Sequence, residues 1–291
     1  MKALYDLPAP AKLNLFLHVV GKRADGYHLL ESLFVPIDWA DTLHLEVRSD
    51  GQLQRHDLSP QAGELPADDL CLRAARALQS ASGCTLGADI HLLKTLPSGA
   101  GMGGGSSDAA TVLIGLNRLW GLNWRRPQLM ALGLSLGADI PFFLGRGPAF
   151  VEGIGEILTP VTLPSLRLAV IKPPQSLPTK AIFSSPLLQT SKTQAIVAGF
   201  AASTWRQAKN DLEMSASAQC PEVEQAIKKL SSRFGVSRMT GSGSAVFAEI
   251  GSEDRPMATK LEDFGIEVPE QWVGRICRSL EALPLADWLE D

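Results

Sequence analysis

The chain is poor in the features that would place it in several common classes. Its four cysteines, Cys71, Cys84, Cys220 and Cys277, stand far apart with no C-x-x-C pair, which excludes the usual zinc and dithiol redox motifs and suits a reducing compartment. No stretch reaches the roughly 18–20 apolar residues that cross a bilayer. The opening Met1-Lys2-Ala3-Leu4-Tyr5-Asp6 lacks the apolar segment of a secretory leader. Positive charge is not in excess either: 27 Lys and Arg against 31 Asp and Glu give a net charge of -4, so no overall field draws a polyanion. His18, His44, His56 and His91 have no metal-ligand spacing, and neither an internal repeat nor a low-complexity tract is present. The expectation is a cytoplasmic protein without nucleic-acid or membrane partners.

What is present is ordinary globular composition, 45% hydrophobic and 20% charged over 291 residues, a length that suits two domains. Leu13, Leu15, Leu17 and Val19 alternate with Lys12, Asn14, Phe16 and His18, which predicts a strand over Ala11–Val20 with Lys12 and Asn14 on one face. Arg23-Ala24-Asp25-Gly26 supplies turn chemistry, and extended segments follow at Glu31–Ile37 and Asp41–Val47. Ser49–Ala67 reads as a loop with short extended pieces. Leu70–Ser80 has helical spacing, and Ala88–Leu93 reads as a strand. A glycine-rich loop at Pro97–Ser107 then leads to a helix over Asp108–Trp120. A second helix opens at Pro127 and stops at Gly137. Farther on, Leu166–Ile171 and Ala245–Ile250 read as strands and Glu222–Phe234 as a helix. Prolines around Pro160–Pro164 mark a boundary between domains of residues 1–162 and 163–291.

The most informative stretch is Pro97-Ser98-Gly99-Ala100-Gly101-Met102-Gly103-Gly104-Gly105-Ser106-Ser107. Glycines allow close backbone approach, and a helix beginning beyond them turns its positive dipole end toward an anion, so phosphate is the natural occupant. The hydroxyls of Ser106 and Ser107 can bind phosphate oxygens or a Mg²⁺ ion. Gly99, Gly101 and Gly104 also satisfy G-x-G-x-x-G. A dinucleotide site would want an acid about 20 residues onward, however, and none lies between Asp108 and Asp139. No Gly-Lys-Ser or Gly-Lys-Thr of a Walker loop occurs, nor the His-Arg-Asp and Asp-Phe-Gly of protein kinases. The reading is a small-molecule kinase of another architecture, moving the γ-phosphate of ATP to a hydroxyl.

Pro97–Ser107 resembles the phosphate loop of the GHMP superfamily, the galactokinase, homoserine, mevalonate and phosphomevalonate kinases, with Met102 where Leu is commoner. Pro10–Leu17, Arg23–His28, Gly137–Pro141 and Gly153–Glu156 extend the resemblance over essentially the whole chain, toward the branch acting on a cytidine-diphosphate-linked polyol. It implies an α/β fold, the α+β two-domain GHMP arrangement. An N-terminal half like domain 2 of ribosomal protein S5 and a ferredoxin-like C-terminal half enclose the active site in a cleft. It implies Asp139 as base and Lys12 as its partner, with ATP and Mg²⁺ as cofactors. Lys beside Asp is coherent chemistry, because the ammonium keeps the carboxylate ionised and polarises the attacking hydroxyl.

The resemblance also implies a substrate pocket. Tyr27 stacks on the base, His28 bonds its edge, and Phe183, with Thr179 in the same Pro178–Phe183 segment, lies on the far side. Asn14 can donate to substrate or carboxylate. Gly241 opens a second glycine turn, Gly241-Ser242-Gly243, lining the cleft. Lys94 is either a diphosphate ligand or a solvated charge. Asp68-Asp69-Leu70 departs from the Asp-Asn-Leu that relatives often carry near adenine. A homoserine or mevalonate kinase and a noncatalytic nucleotide sensor remain as other readings, and the protein is expected to be a monomer or weak homodimer.

Overall fold

One long hairpin organises the first half of the chain. The computed structural model describes residues 2–59, 65–191, 204–251 and 259–291. In it β1 (Ala3–Lys22) and β2 (His28–Arg48) pair antiparallel from Ala3 opposite Glu46 to Lys22 opposite His28. The two extended segments expected at 31–37 and 41–47 are one continuous strand. Pro8 and Pro10 lie within β1, which borders the sheet and loses little by lacking those N–H groups. Register shifts between Pro10 and Lys12 and between Asn14 and Leu17 bracket the Lys12–Asn14 stretch. Such bulges re-aim side chains locally.

Beyond the hairpin, β3 (Leu53–Asp57), β4 (Gly87–Leu93), β5 (Ala149–Gly153) and β6 (Ile157–Pro160) complete a six-stranded sheet. Its order is β3-β4-β2-β5-β6, with β1 on the other edge of β2. Helices α1 (Leu70–Ser82), α2 (Gly104–Leu119), α3 (Arg126–Leu136) and α4 (Ile140–Leu144) close one face. There Leu78, Val112, Leu116 and Leu129 join Leu43, Leu45, Ile90 and Leu92 in a core.

The second half is an antiparallel sheet of β7 (Arg167–Lys172), β8 (Ser237–Met239), β9 (Val246–Ile250) and β10 (Val273–Arg278). Its order β10-β7-β9-β8 is fourth, first, third, second, the ferredoxin-like pattern the resemblance implies. Helices α5 (Thr179–Phe183), α6 (Glu213–Gln219) and α7 (Pro221–Phe234) come between β7 and β8. Val223, Ala226 and Leu230 of α7 pack with Ala169, Ile171, Val246 and Ala248.

The two halves share a third core, in which Leu13, Leu15, Val35, Ile37 and Phe150 meet Leu168, Val170, Phe247 and Cys277. Residues 280–291, expected in the C-terminal domain, return to the first half. Leu280 N–H donates to Pro36, Leu283 N–H donates to Arg146, and Leu283, Leu285 and Leu289 enter the first core. The buried Arg126 guanidinium holds them there, donating to the carbonyls of Leu144, Gly145, Ala286 and Leu289. No helix among the described residues is long and apolar enough to cross a membrane.

Candidate active site

The glycine loop connects β4 to α2, and the helix begins at Gly104, four residues before the expected start at Asp108. Glycine's poor helix propensity hides this first turn in the sequence. In the fold Gly103 adopts the left-handed conformation and its carbonyl accepts from Ser107 N–H at 2.9 Å, closing the turn. The amides opening α2 have no partner within the helix and carry its positive dipole end. Ala100 and Met102 bury their side chains in the core shared by the halves, so at both positions the loop offers backbone alone. The second glycine turn fits against it: a Cβ on Gly101 would lie 2.3 Å from the Thr240 carbonyl oxygen, and one on Gly241 would lie 2.5 Å from that of Gly101. Both also have positive φ, so only glycine permits this approach. Ser244 and Ala245 N–H groups donate to Gly99 and Ala100.

Lys12 enters from β1. Its backbone N–H donates to Met102 of the loop at 3.0 Å, and its Cε would be 3.2 Å from a Cβ on Gly103. The side chain is only 4% exposed, and its ammonium has three neighbours. It donates to Asn14 Oδ1 at 2.6 Å, sits 3.4 Å from Asp139 Oδ2, and lies 4.4 Å from the centre of the Phe34 ring. Asp139 precedes α4 but makes no capping hydrogen bond with its side chain. Its carboxylate, 33% exposed, is therefore available in a way that a capping Asp is not.

Asn14 does share the Lys12 face, but its amide is turned inward rather than toward a substrate. Nδ2 donates to Ser32 Oγ at 2.9 Å while Oδ1 accepts from Lys12.

Lys94 is not the solvated charge of one expectation: its side chain is 8% exposed and its ammonium is clamped by Asp41 and, at 2.7 Å, by Asp108. Burial alone would lower its pKa, yet the two carboxylates outweigh burial and raise it. Asp41 also accepts from the N–H groups of Thr95 and Leu96, fixing the entry to the loop. Asp108 is pushed above the usual carboxylate range by its burial, with Asp41 adding and Lys94 opposing. Asp69, where relatives often carry Asn, caps α1 through Leu72 N–H and pairs with Arg55 at 3.1 Å. Its carboxylate is spent on the fold.

At the outer end of the hairpin, His28 and Phe183 stack on each other with ring centres 5.2 Å apart and planes at 24°, bringing the two halves' aromatic candidates together. Burial, with Lys22 adding, lowers the His28 pKa and favours neutral imidazole. Tyr27 at the tip is 59% exposed. Thr179 Oγ1 and Ser242 Oγ lie 2.9 Å apart, joining the start of α5 to the second glycine turn. Sequence reasoning did not single out Ser32, Asp41, Asp108 or Thr240, which have no motif of their own.

For a metal, no group of three or more His, Cys, Asp and Glu side chains that could hold one occurs among the described residues. The hydroxyls where the loop meets α2 are Ser106, half-buried, and the buried Ser107, whose Oγ has no partner. A hydroxyl orphaned at a phosphate loop fits Mg²⁺, which takes oxygen ligands and shares them with nucleotide phosphates.

Comparison with known proteins gives a consistent answer. The family model "GHMP kinases N terminal domain" matches residues 69–147 and "GHMP kinases C terminal" matches residues 196–265. The 4-diphosphocytidyl-2-C-methyl-D-erythritol kinase of Methylibium petroleiphilum is 58% identical, covering 99% of both chains. That of Verminephrobacter eiseniae is 53% identical over 100% of this chain and 99% of its own. A crystal structure of 4-(cytidine 5'-diphospho)-2C-methyl-D-erythritol kinase superposes with a TM-score of 0.72 at 32% identity, covering 93% of this chain and 98% of that one. Homoserine kinase from Cytophaga hutchinsonii reaches 0.71 at 17% identity, covering 97% and 96%, a likeness of fold.

Proposed function

Because the chain belongs to the GHMP kinases, and within them to the 4-diphosphocytidyl-2-C-methyl-D-erythritol kinases, we propose that Lys12 and Asp139 carry the transfer of the γ-phosphoryl group of ATP to the 2-hydroxyl of 4-diphosphocytidyl-2-C-methyl-D-erythritol. The products are the 2-phosphate and ADP, a step in the methylerythritol phosphate route to isoprenoid precursors. The observation that carries this reading is the 3.4 Å approach of Lys12 Nζ to Asp139 Oδ2 beside Gly103.

Phosphoryl transfer asks for positioning, charge neutralisation and a group to take the hydroxyl proton. The ATP phosphates lie over Pro97–Ser107 at the opening of α2. Asp139 takes the proton as the hydroxyl oxygen bonds to the γ-phosphorus and the bond to the bridging oxygen of ADP breaks. Lys12, 3.4 Å from Asp139, polarises the hydroxyl and steadies charge on the attacking oxygen. Ser106 or Ser107 would hold Mg²⁺, which supplies neutralisation of the phosphate charge. Tyr27 and Phe183 stack on the two sides of the cytosine ring, His28 bonds its edge, and Thr179 with the Gly241 turn borders the diphosphate and polyol. Lys94 serves the loop from below, and Asn14 serves Lys12.

The test is ADP formation by the purified protein with ATP, Mg²⁺ and the cytidylyl substrate, beside homoserine, mevalonate and galactose. Selective turnover of the cytidylyl substrate is expected. Turnover of another alcohol would overturn the roles of Tyr27 and His28, and inactivity with all four would favour a nucleotide sensor.

A further inference from the structure

We infer that Thr240 is a positioning residue for phosphoryl transfer, acting on Lys12 through Asn14; the inference rests on the assignment of Lys12 proposed above. The two residues are 226 positions apart in the chain, and in the sequence Thr240 is merely the residue before a glycine turn. In the fold it is fully buried at the seam between the halves. Its hydroxyl accepts from the Asn14 backbone N–H at 2.8 Å, the strong contact of the pair, and its proton faces Asn14 Oδ1 at 3.4 Å, a weaker one. One hydroxyl can do both.

Lys12 needs such help. An ammonium on a four-carbon stem has no preferred direction of its own. The 3.4 Å separation from Asp139 exceeds the roughly 3.2 Å limit of a good N–H···O bond. The 2.6 Å bond to Asn14 Oδ1 is therefore the contact that aims the ammonium. An asparagine amide can occupy its site in two orientations, and only its neighbours decide between them. Here Ser32 commits its proton to the Phe16 carbonyl at 2.5 Å and accepts from Asn14 Nδ2 at 2.9 Å, while Thr240 fixes the Asn14 backbone through the 2.8 Å bond and turns its proton toward Oδ1 in a longer, weaker contact. A flipped amide would set its NH₂ against the Lys12 ammonium and against the Thr240 proton.

Thr240 is itself held from the C-terminal half. Asn210 Nδ2 donates at 2.8 Å to the Met239 and Gly241 carbonyls on either side of it. Its own carbonyl marks the closest approach to Gly101 of the phosphate loop. One residue thus touches the loop, the Lys12 strand and the second glycine turn. The aim of Lys12 depends on a residue of the other half.

The experiment measures kcat, KM for ATP and melting temperature for Thr240→Val, Thr240→Ser, Asn14→Ala and the double variant Asn14→Ala/Thr240→Val, with Lys12→Ala as reference. Thr240→Val is expected to lower kcat about 3- to 10-fold, the worth of about one hydrogen bond, with KM for ATP unchanged. Thr240→Ser, which keeps the hydroxyl, restores kcat. The double variant loses no more than Asn14→Ala alone, because both changes break one relay. Should Thr240→Val fail to fold, Ser32→Ala breaks the amide lock from the other side and is expected to give the same kcat loss. Multiplying effects in the double variant, an unaltered kcat in Thr240→Val, or no rescue by serine would overturn the inference. Full turnover by Lys12→Ala would overturn the assignment of Lys12 and the relay with it.

Discussion

Two buried lysines flank the same glycine loop and could hardly differ more in their counter-charge. Lys94 lies beneath it, with Nζ 3.6 Å from where a Cβ on Gly104 would be, and Lys12 lies beside it, with Cε 3.2 Å from a Cβ on Gly103. Two carboxylates with side chains 0% and 4% exposed clamp Lys94, whereas Lys12 has one, a third exposed and at 3.4 Å. An amide oxygen and an aromatic face complete the surroundings of Lys12. The ammonium of Lys94 is saturated and belongs to the fold. That of Lys12 retains attraction for charge that a ligand brings, and its partner carboxylate is open to a proton. Burial alone would have classed the two together; the balance of charge around each separates them.

The comparison can be broken most forcefully at the Asp139 carboxylate. Asp139→Asn keeps shape and removes the base, and kcat is expected to fall about 10²–10⁴-fold while ATP affinity, followed by fluorescent-nucleotide displacement, stays near that of the parent. Undiminished turnover would place Asp139 with the structural carboxylates. On the Lys94 side, Asp41→Ala leaves two backbone N–H groups unpaired and removes one of the clamping charges. A stability loss of about 3–5 kcal/mol is expected in urea unfolding, the usual cost of opening a buried ion pair.

Asp108→Asn sharpens the contrast from the same cluster. The amide oxygen can still accept from Lys94, and Asp41 still balances the charge, so a change below about 1 kcal/mol is expected. A large loss would show that Lys94 needs both carboxylates.

The smallest effect lies away from both lysines. The folded pKa of His28 is lowered, so the unfolded chain binds that proton more readily, and the stability it gives is present above the ordinary imidazole value and fades as pH falls below it. With the imidazole neutral in the stack, acidification below its ordinary value is expected to raise KM for the cytidylyl substrate a few-fold and leave kcat at saturation unchanged. A parallel fall of kcat would point to a group near Lys12 instead.

The sequence carried some of this plainly and hid the rest for physical reasons. Leucine alternation in β1 marks a strand, but Lys12, Asn14 and Phe16 on the opposite face are buried as well, so polarity did not mean exposure. Prolines at 8 and 10 look like strand breakers and are harmless where the strand borders the sheet. Glycines 104 and 105 look like loop and form the first turn of α2. The roles given to Lys12 and Asp139 come from the family resemblance, which supplied what spacing cannot, and the fold brings their side chains to 3.4 Å. The clamp on Lys94 was hidden because a lysine before a glycine loop looks the same whether it faces solvent or core. Its partner Asp41 lies 53 positions away and Asp108 14, with no periodicity to link them. Thr240 and residues 280–291 were illegible for the same reason: their contacts are made across the chain rather than along it.

The most direct measurement of the central claim is a paired one, kcat and melting temperature for Lys12→Met and Lys94→Met under identical conditions. Methionine fills much of the lysine stem's volume without its charge. The account predicts that Lys12→Met keeps its fold and loses turnover, and that Lys94→Met loses thermal stability while its folded fraction still turns over. A turnover-competent Lys12→Met, or a Lys94→Met that is fully stable yet inactive, would contradict it.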